Sequence, residues 1–381
     1  MTKCYLSYNN ITSSLGFDTN TVFDHLKNQK SAVHLVNDST RFYQPFFGTV
    51  ISTEILDSKF KTLSNEQRFT RLEKMLILSL SETIKASGVT INNRVGLIIS
   101  TTKGNIDVLE EGNRFPKQRA YLSQLGSIIK ENFGFGNDAL VISNACVSGI
   151  LSVAIAKRYL QENVYDHIFI VAGDLISNFV LSGFNSFHAL SHAPCRPYDQ
   201  DRAGINLGEA AASLLVTSDP NYLSEDAVEI LGEGSCNDAN HISGPSRTGE
   251  GLYRSIQWAA KEARINLSEI DYISSHGTAT LFNDEMEAIA FDRLGLNQTP
   301  LNSLKGYFGH TLGASGLLET IIGMQSLNQN TLIASSGFQT LGISKPLNII
   351  TETTSKKLRT FLKTASGFGG CNTAVLFRKI S

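Results

Sequence analysis

Cys146 lies in ALVISNACVSGILSVAIAKRYL, between a β-rich run ending at Ser143 and an apolar helical stretch that the pattern starts at the cysteine itself. A thiol at such a strand-to-helix turn is presented as a nucleophile. The unpaired N–H groups and the dipole of a helix N-terminus are expected to favour its thiolate. Two histidines follow downstream. His276 opens the polar turn SSHGTATLFNDEMEA, with Thr278 and Thr280 beside it and Asp284 and Glu287 at helical spacing. His310 lies in SLKGYFGHTLGASGLLE, where Lys305 and Glu319 flank a loop of glycines and other small residues. Such residues let a ligand approach the backbone closely. A fourth stretch, TASGFGGCNTAVLF, sets glycines on both sides of Phe368. Its exposed N–H groups suit a developing oxyanion, although the same pattern also reads as a plain hairpin turn. The chemistry on offer is a thiol nucleophile, two imidazoles and backbone donors for a negative oxygen.

Other readings of these residue types are weaker. A cysteine without such a setting is a small buried hydrophobe, which is the reading for Cys4, Cys195 and Cys236. His25, His34, His167, His188, His192 and His241 have no comparable surroundings and are given no role. His188 and His192 form an HxxxH pair, but it lacks the glutamate of a zinc-binding HExxH helix, so no metal is expected. No GxSxG elbow is present for a serine hydrolase.

The elements that must position these residues alternate between strand and helix, giving an α/β class. Strands are expected at Val95–Ser100, Ala139–Ser143, His167–Ala172, Ala212–Thr217, Val228–Leu231, Tyr272–Ser275, Leu358–Lys363 and Ala374–Arg378. The early ones are nearly continuous in apolar character, the mark of strands buried on both faces. Helices are expected at Asn65–Ser87, capped by Ser64 and ended by Gly88, and at Cys146–Leu160, Thr248–Ala263 and Gly316–Leu327. A break near Pro220–Ser224 divides the chain into residues 1–220, with the thiol, and 221–381, with both histidines.

The 381 residues include 33 basic and 35 acidic ones, a net charge of −2 that gives no reason to expect a nucleic-acid partner. Charged residues make up 18%, below the roughly 25% usual for soluble domains, which fits a large buried interior. Five cysteines without a CxxC pair argue for a reduced chain rather than a disulfide framework. No signal peptide or membrane span is visible, so a cytoplasmic protein is expected.

Taken together, the motifs resemble the β-ketoacyl-acyl carrier protein synthases, of the elongating kind with a Cys-His-His triad. The matching stretches are N-A-C-V-S-G at Cys146, H-G-T-A-T with N-D-E-M-E at His276, K-G-Y-F-G-H-T-L-G-A-S-G at Lys305 and His310, and G-F-G-G-C-N at Phe368. A fifth is C-R-P-Y-D-Q-D-R-A-G-I-N-L-G-E-A-A from Cys195 to Ala211. Their order and spacing hold from about Leu15 to the C-terminus. The resemblance implies a five-layered αβαβα thiolase fold made of two similar halves, and a dimer, with itself or with a synthase-like subunit. Cys146 would take an acyl group from a carrier-protein thioester. His276 and His310 would stabilise the enolate formed when malonyl-carrier protein loses carbon dioxide. The N–H groups of Cys146 and Phe368 would hold the later oxyanion. Lys305 and Glu319 would be supporting charges, Asp284 and Glu287 would hold the network, Thr278 and Thr280 would contact pantetheine, and Phe368 would gate the nucleophile. No cofactor is implied beyond the 4′-phosphopantetheine that the carrier brings. Arg68 and Arg71 fall in the family's carrier-docking region, although a solvated helix face accounts for them almost as well.

The sequence departs from the family in places. CYLSYNNITSSLG replaces the usual V-V-V-T-G-x-G opening, Gly208–Ala212 reads G-E-A-A-A, Val147 follows the cysteine, and Cys371 stands where threonine is usual. In thiolases a second, basic cysteine precedes the glycines rather than following them, so Cys371 reads as structural. Shortened synthases serve fatty-acid and specialised polyene or pigment pathways alike, and the sequence leaves that choice open. A non-condensing chain-length-factor-like subunit would lack the nucleophile. A thiolase or an initiating synthase would lack the K-G-x-x-G-H motif, and a plain binding protein has no need of this triad.

Overall fold

The apolar runs become the strands of one ten-stranded sheet. The computed structural model describes residues 2–64, 68–239 and 244–380. In chain order the strands are β1 (Cys4–Ser13), β2 (Val95–Ser100), β3 (Leu140–Ile142), β4 (His167–Asp174), β5 (Ala210–Thr217), β6 (Val228–Asn237), β7 (Tyr272–Ser274), β8 (Leu301–Asn302), β9 (Thr360–Gly367) and β10 (Cys371–Lys379). Their order across the sheet is β8-β7-β9-β10-β6-β1-β5-β4-β2-β3. From the central β1/β6 pair, either direction gives the same sequence of pairings: antiparallel, antiparallel, parallel, parallel. The sheet is therefore built of two similar halves, which meet where Cys4 of β1 pairs with Ile230 of β6. A short 3-10 turn, Pro220–Tyr222, lies between β5 and β6.

Side-chain alternation along the strands sorts the core into layers. The helices that build the layers around the site are α1 (Arg71–Ser87), α2 (Leu122–Phe133), α3 (Ser148–Gln161), α4 (Asn178–Ser186), α5 (Glu250–Ala263), α6 (Leu281–Arg293) and α7 (Ser315–Gln329). Ile99, Phe169 and Leu215 face outward and pack with Leu72 and Leu76 of α1 and Leu125 of α2. Their strand neighbours Ile98, Ile170 and Leu214 face inward, onto Ile150 of α3 and Leu317 of α7. In the other half Phe361 and Phe377 join that central layer, while Leu362 and Leu376 face out onto Ile256 of α5 and Phe291 of α6. The result is the five-layered αβαβα arrangement.

The central helices touch backbone to backbone. A Cβ built on Gly149 of α3 would lie 2.6 Å from the Leu317 nitrogen, and one on Gly316 of α7 would lie 2.5 Å from the Ile150 nitrogen. This crossing sets the start of α3, next to Cys146, against the loop that carries His310.

Some boundaries differ from the sequence reading. α1 begins at Arg71, not Asn65, because Thr70 and Glu73 form a capping box that satisfies its first N–H groups. Gly88 ends it in a left-handed conformation, as expected. Residues 65–67 lie outside the described ones, as does His241. α3 starts at Ser148, so Cys146 precedes the helix rather than opening it. The unusual CYLSYNNITS stretch forms the central strand β1, with an irregularity between Leu6 and Asn9 that interrupts its apolar alternation. Among the described residues no helix is long and apolar enough to cross a membrane.

Candidate active site

The cysteine turn is tight because Ala145 takes a left-handed φ of 44°, a conformation uncommon for a residue with a Cβ. Ser148 ties the turn by accepting the Asn144 N–H at 2.7 Å and donating to the Ala145 carbonyl at 2.6 Å. Cys146 is buried, and burial pushes its thiol up to about 12, with Cys371 adding to the rise and Lys305 partly offsetting it. This corrects the thiolate expected from the sequence. The thiol lies ahead of the helix rather than within its first turn, and desolvation outweighs what stabilisation reaches it.

The second turn is held by carboxylates. Glu287 accepts the N–H groups of His276 (2.9 Å) and Gly277 (2.7 Å), and Asp284 accepts that of Thr278 (2.8 Å). Asp284 sits in the first turn of α6, where a negative charge is favoured. Tyr198, from the CRPYD segment, donates its hydroxyl to Glu287 at 2.9 Å and its N–H to Asp284 at 2.7 Å. Burial pushes Asp284 up to about 6, with Glu287 adding to the rise, and burial likewise raises Glu287. Gly277 is required here: its φ is +39°, and a Cβ would come 2.5 Å from that of Ser303.

Lys305 donates to the His276 carbonyl (2.6 Å), to His276 Nδ1 (3.3 Å) and to Glu319 Oε1 (2.9 Å). An ammonium has no acceptor capacity, so the ring proton of His276 sits on Nε2. His310 reaches the same state by another route. Its Nδ1 accepts the Leu312 N–H at 3.1 Å, which leaves Nε2 as the donor, and Nε2 has no partner. Burial, then Lys305, lowers both imidazoles well below their ordinary value, so both are neutral at pH 7. The rings stand 5.2 Å apart at 82°. One ligand atom from each of Cys146, His276 and His310 lies within 4.8 Å of the others. These residue types could also ligate a metal, but an ion would have to displace the ring protons that the Nδ1 contacts fix on Nε2. The structure does not join His188, His192 and Cys195 into a ligand group among the described residues. Cys195 is buried with its Sγ 3.1 Å from the Lys305 carbonyl.

The triad lines a cavity of about 390 Å³, together with Thr278, Thr280 and Phe368. The GFGG segment is both a hairpin turn and part of this wall: Gly367 pairs with Cys371 across β9 and β10. A Cβ on Gly367 would lie 3.0 Å from the Cys146 nitrogen, so the turn meets the nucleophile's own backbone. Phe368 is partly exposed, its ring 5.6 Å from Phe184 and 5.4 Å from Phe187. Cys371 is not among the residues that line the cavity; its Sγ lies 3.2 Å from the Phe368 carbonyl.

Three contributors were not evident from sequence. Lys363 is fully buried and lies 2.6 Å from Glu319 Oε2. Asp174, at the end of β4, accepts the Gly313 N–H at 2.7 Å and so anchors the His310 loop. His188 lines the cavity. The expected strand ending at Lys363 carried a clue, since a lysine in a buried strand needs a carboxylate partner. The other two had no local signal. Of the docking arginines, Arg71 is committed to buried Glu209 at 2.7 Å and is unavailable to a partner, whereas Arg68 stays exposed, over the Phe69 ring.

Five layers closing on one buried thiol place the protein among the acyltransferases of the thiolase superfamily. The N-terminal domain of the β-ketoacyl synthases matches residues 10–221, and the C-terminal domain matches residues 227–339. The chain belongs to the β-ketoacyl synthase family. Similar proteins include 3-oxoacyl-[acyl-carrier-protein] synthase 2 of Rhizobium meliloti, 30% identical over 255 residues (62% of this chain, 60% of that one). The enzyme of the same name from Coxiella burnetii is 25% identical over 403 residues, 97% of each chain. Among solved structures, a ketosynthase from Xenorhabdus doucetiae in complex with its chain length factor superposes with a TM-score of 0.87 at 22% identity, covering 100% of this chain and 98% of that one. A β-ketoacyl synthase from Burkholderia phymatum gives 0.86 at 21% identity, covering 100% of both chains.

Proposed function

We propose that this protein is a β-ketoacyl-acyl carrier protein synthase that condenses a malonyl thioester with an acyl chain held on Cys146. The observation that carries this reading is the convergence of the thiol with two neutral histidines whose Nδ1 atoms are occupied, leaving two Nε2–H donors beside one nucleophile.

In the first half-reaction the Cys146 sulfur attacks the thioester carbonyl of an acyl-carrier protein. The carrier's pantetheine sulfur leaves and takes the thiol proton. In the second, a malonyl thioester loses carbon dioxide, and its carbonyl oxygen becomes an enolate held by the Nε2–H groups of His276 and His310. Preorganised donors in a dry site act strongly on developing charge. Decarboxylation breaks a C–C bond, so no base is needed to remove a C–H proton. The enolate carbon then attacks the acyl-Cys146 carbonyl. The N–H groups of Cys146 and Phe368 hold the tetrahedral oxyanion until it collapses to the β-ketoacyl-carrier product, and the released Cys146 sulfur is protonated from solvent.

Thr278 and Thr280, whose hydroxyls lie 2.8 Å apart, would meet the pantetheine arm, and the partly exposed Phe368 would gate the acyl chain. Residues 1–220 would act as the unit carrying the nucleophile and 221–381 as the unit carrying the histidines. The partners would be an acyl carrier protein, with Arg68 at its docking surface, and a second subunit, either another copy or a synthase-like homologue. No resident cofactor is called for, and the setting would be the cytoplasm.

Intact-mass spectrometry after incubation with acyl-carrier proteins tests this reading. An acyl adduct on the wild type and none on Cys146→Ala, followed by a longer β-ketoacyl product once malonyl-carrier protein is added, is the expected result. Absence of any adduct on the wild type would overturn it in favour of a non-condensing subunit.

A further inference from the structure

Lys363 is a second buried cation beside the histidines, and it is not part of the triad. It projects from β9 and is fully buried. Its ammonium meets Glu319 Oε2 at 2.6 Å, the carbonyls of Ser274 and Ser275 at 3.1 and 3.2 Å, and that of Thr364 at 2.7 Å. Ser275 is the residue before His276. The other oxygen of Glu319 is taken by Lys305, which holds the His276 carbonyl and Nδ1. The peptide carrying His276 is thus gripped from both sides by lysines that share one carboxylate.

We propose that Lys363 is a positioning residue for enolate stabilisation: by sharing Glu319 with Lys305 it fixes the His276 tautomer and sets a second buried positive charge beside the two imidazoles. This rests on the synthase reading above. The geometry supports it, with one ammonium group on each of the two oxygens of Glu319. Burial raises the Glu319 carboxyl, but Lys305 and Lys363 outweigh it and keep it ionised. Asp284 and Glu287 face the same loop from α6, where they accept backbone N–H groups and the Tyr198 hydroxyl; Arg202 stands 3.9 Å from Asp284, and Glu287 favours the charged form of Lys363. Tyr272, on β7, directs its hydroxyl to Asn302. Cys146 and Cys195 also adjoin this network, and burial keeps both as protonated thiols. An extra positive charge acts twice here. It disfavours the imidazolium form, keeping both Nε2–H groups as neutral donors, and it favours the negative enolate.

Lys363→Met, which keeps the length and removes the charge, separates this role from packing. Acylation of Cys146 and decarboxylation of a malonyl thioester are measured side by side across pH. The expected result is a decarboxylation rate lower by about ten- to a hundredfold, in line with a misplaced catalytic group, with its acid limb moved to higher pH, while acylation falls far less. A lowered Tm with unchanged decarboxylation rate and pH profile would overturn the proposal. If the variant does not fold, ring-nitrogen NMR of the wild type decides: the proposal requires His276 to carry its proton on Nε2, and an Nδ1–H tautomer refutes it. If the wild type itself takes no acyl group, the synthase reading has failed instead, and that outcome is separate.

Discussion

The two halves of the sheet share one strand order, yet they bring opposite environments to the cavity. The first half presents a lone thiol on a turn of small residues, and burial keeps it protonated. The second half presents two histidines wrapped in buried charges: Lys305, Lys363 and Glu319 on one side, Asp284 and Glu287 on the other. The same frame therefore carries a soft nucleophile where charge would hinder an acyl chain, and a rigid electrostatic device where charge is about to develop. Under the proposed mechanism the difference is a division of labour: one half would hold the chain, the other would lower the barrier.

The sharpest test removes a histidine. His276→Ala or His310→Ala should cut decarboxylation of a malonyl thioester by about a hundred- to a thousandfold, the usual loss for one oxyanion donor, with a much smaller effect on acylation of Cys146. Equal losses in both half-reactions would erase the division. Next in size is the thiol's response to pH. Alkylation of Cys146 by iodoacetamide should climb about tenfold per pH unit from 7 to 10, because a thiol titrating near 12 is still protonated throughout that range. A plateau above pH 9 would show that the thiol is not shifted. Glu287→Gln should lower decarboxylation by about tenfold or more while leaving the alkylation profile of Cys146 in place, since Glu287 holds the backbone of His276 and Gly277 and does not hydrogen-bond the thiol. The smallest effect concerns the frame. Gly149→Ala should cost about 1–3 kcal/mol, read as a lower Tm, because its methyl meets the backbone of α7.

The sequence made much of this legible, for identifiable reasons. Strands such as Val95–Ser100 and His167–Asp174 are buried at every position, so their composition is continuous and hard to mistake. The catalytic turns were visible because glycine and small residues cluster where backbone must approach a ligand. β1 escaped because it is interrupted by Asn9 and Asn10 at the irregularity, though it lies at the centre of the sheet. The start of α1 was misplaced because Ser64 and Thr70 both carry a capping-box pattern, with Gln67 and Glu73 three residues on, and the helix uses Thr70. The thiolate expectation failed because position along the chain does not report burial. Arg71 was offered as a docking residue because its partner, Glu209, is 138 residues away, and Lys363 on β9 was overlooked because its carboxylate, Glu319, lies on α7.

The crossing of Gly149 and Gly316 also bears on how such enzymes can be recombined. Each half resembles a module that could be exchanged between relatives to mix chain preference with rate. The two glycines make it a keyed module, because each lies in one half and accommodates the backbone of the other. A grafted half that brings a bulkier residue at either position would push the nucleophile and the His310 loop apart by about the width of a methyl group. Chimeras should therefore be chosen first by what they carry at this crossing, and only then by the residues that line the cavity.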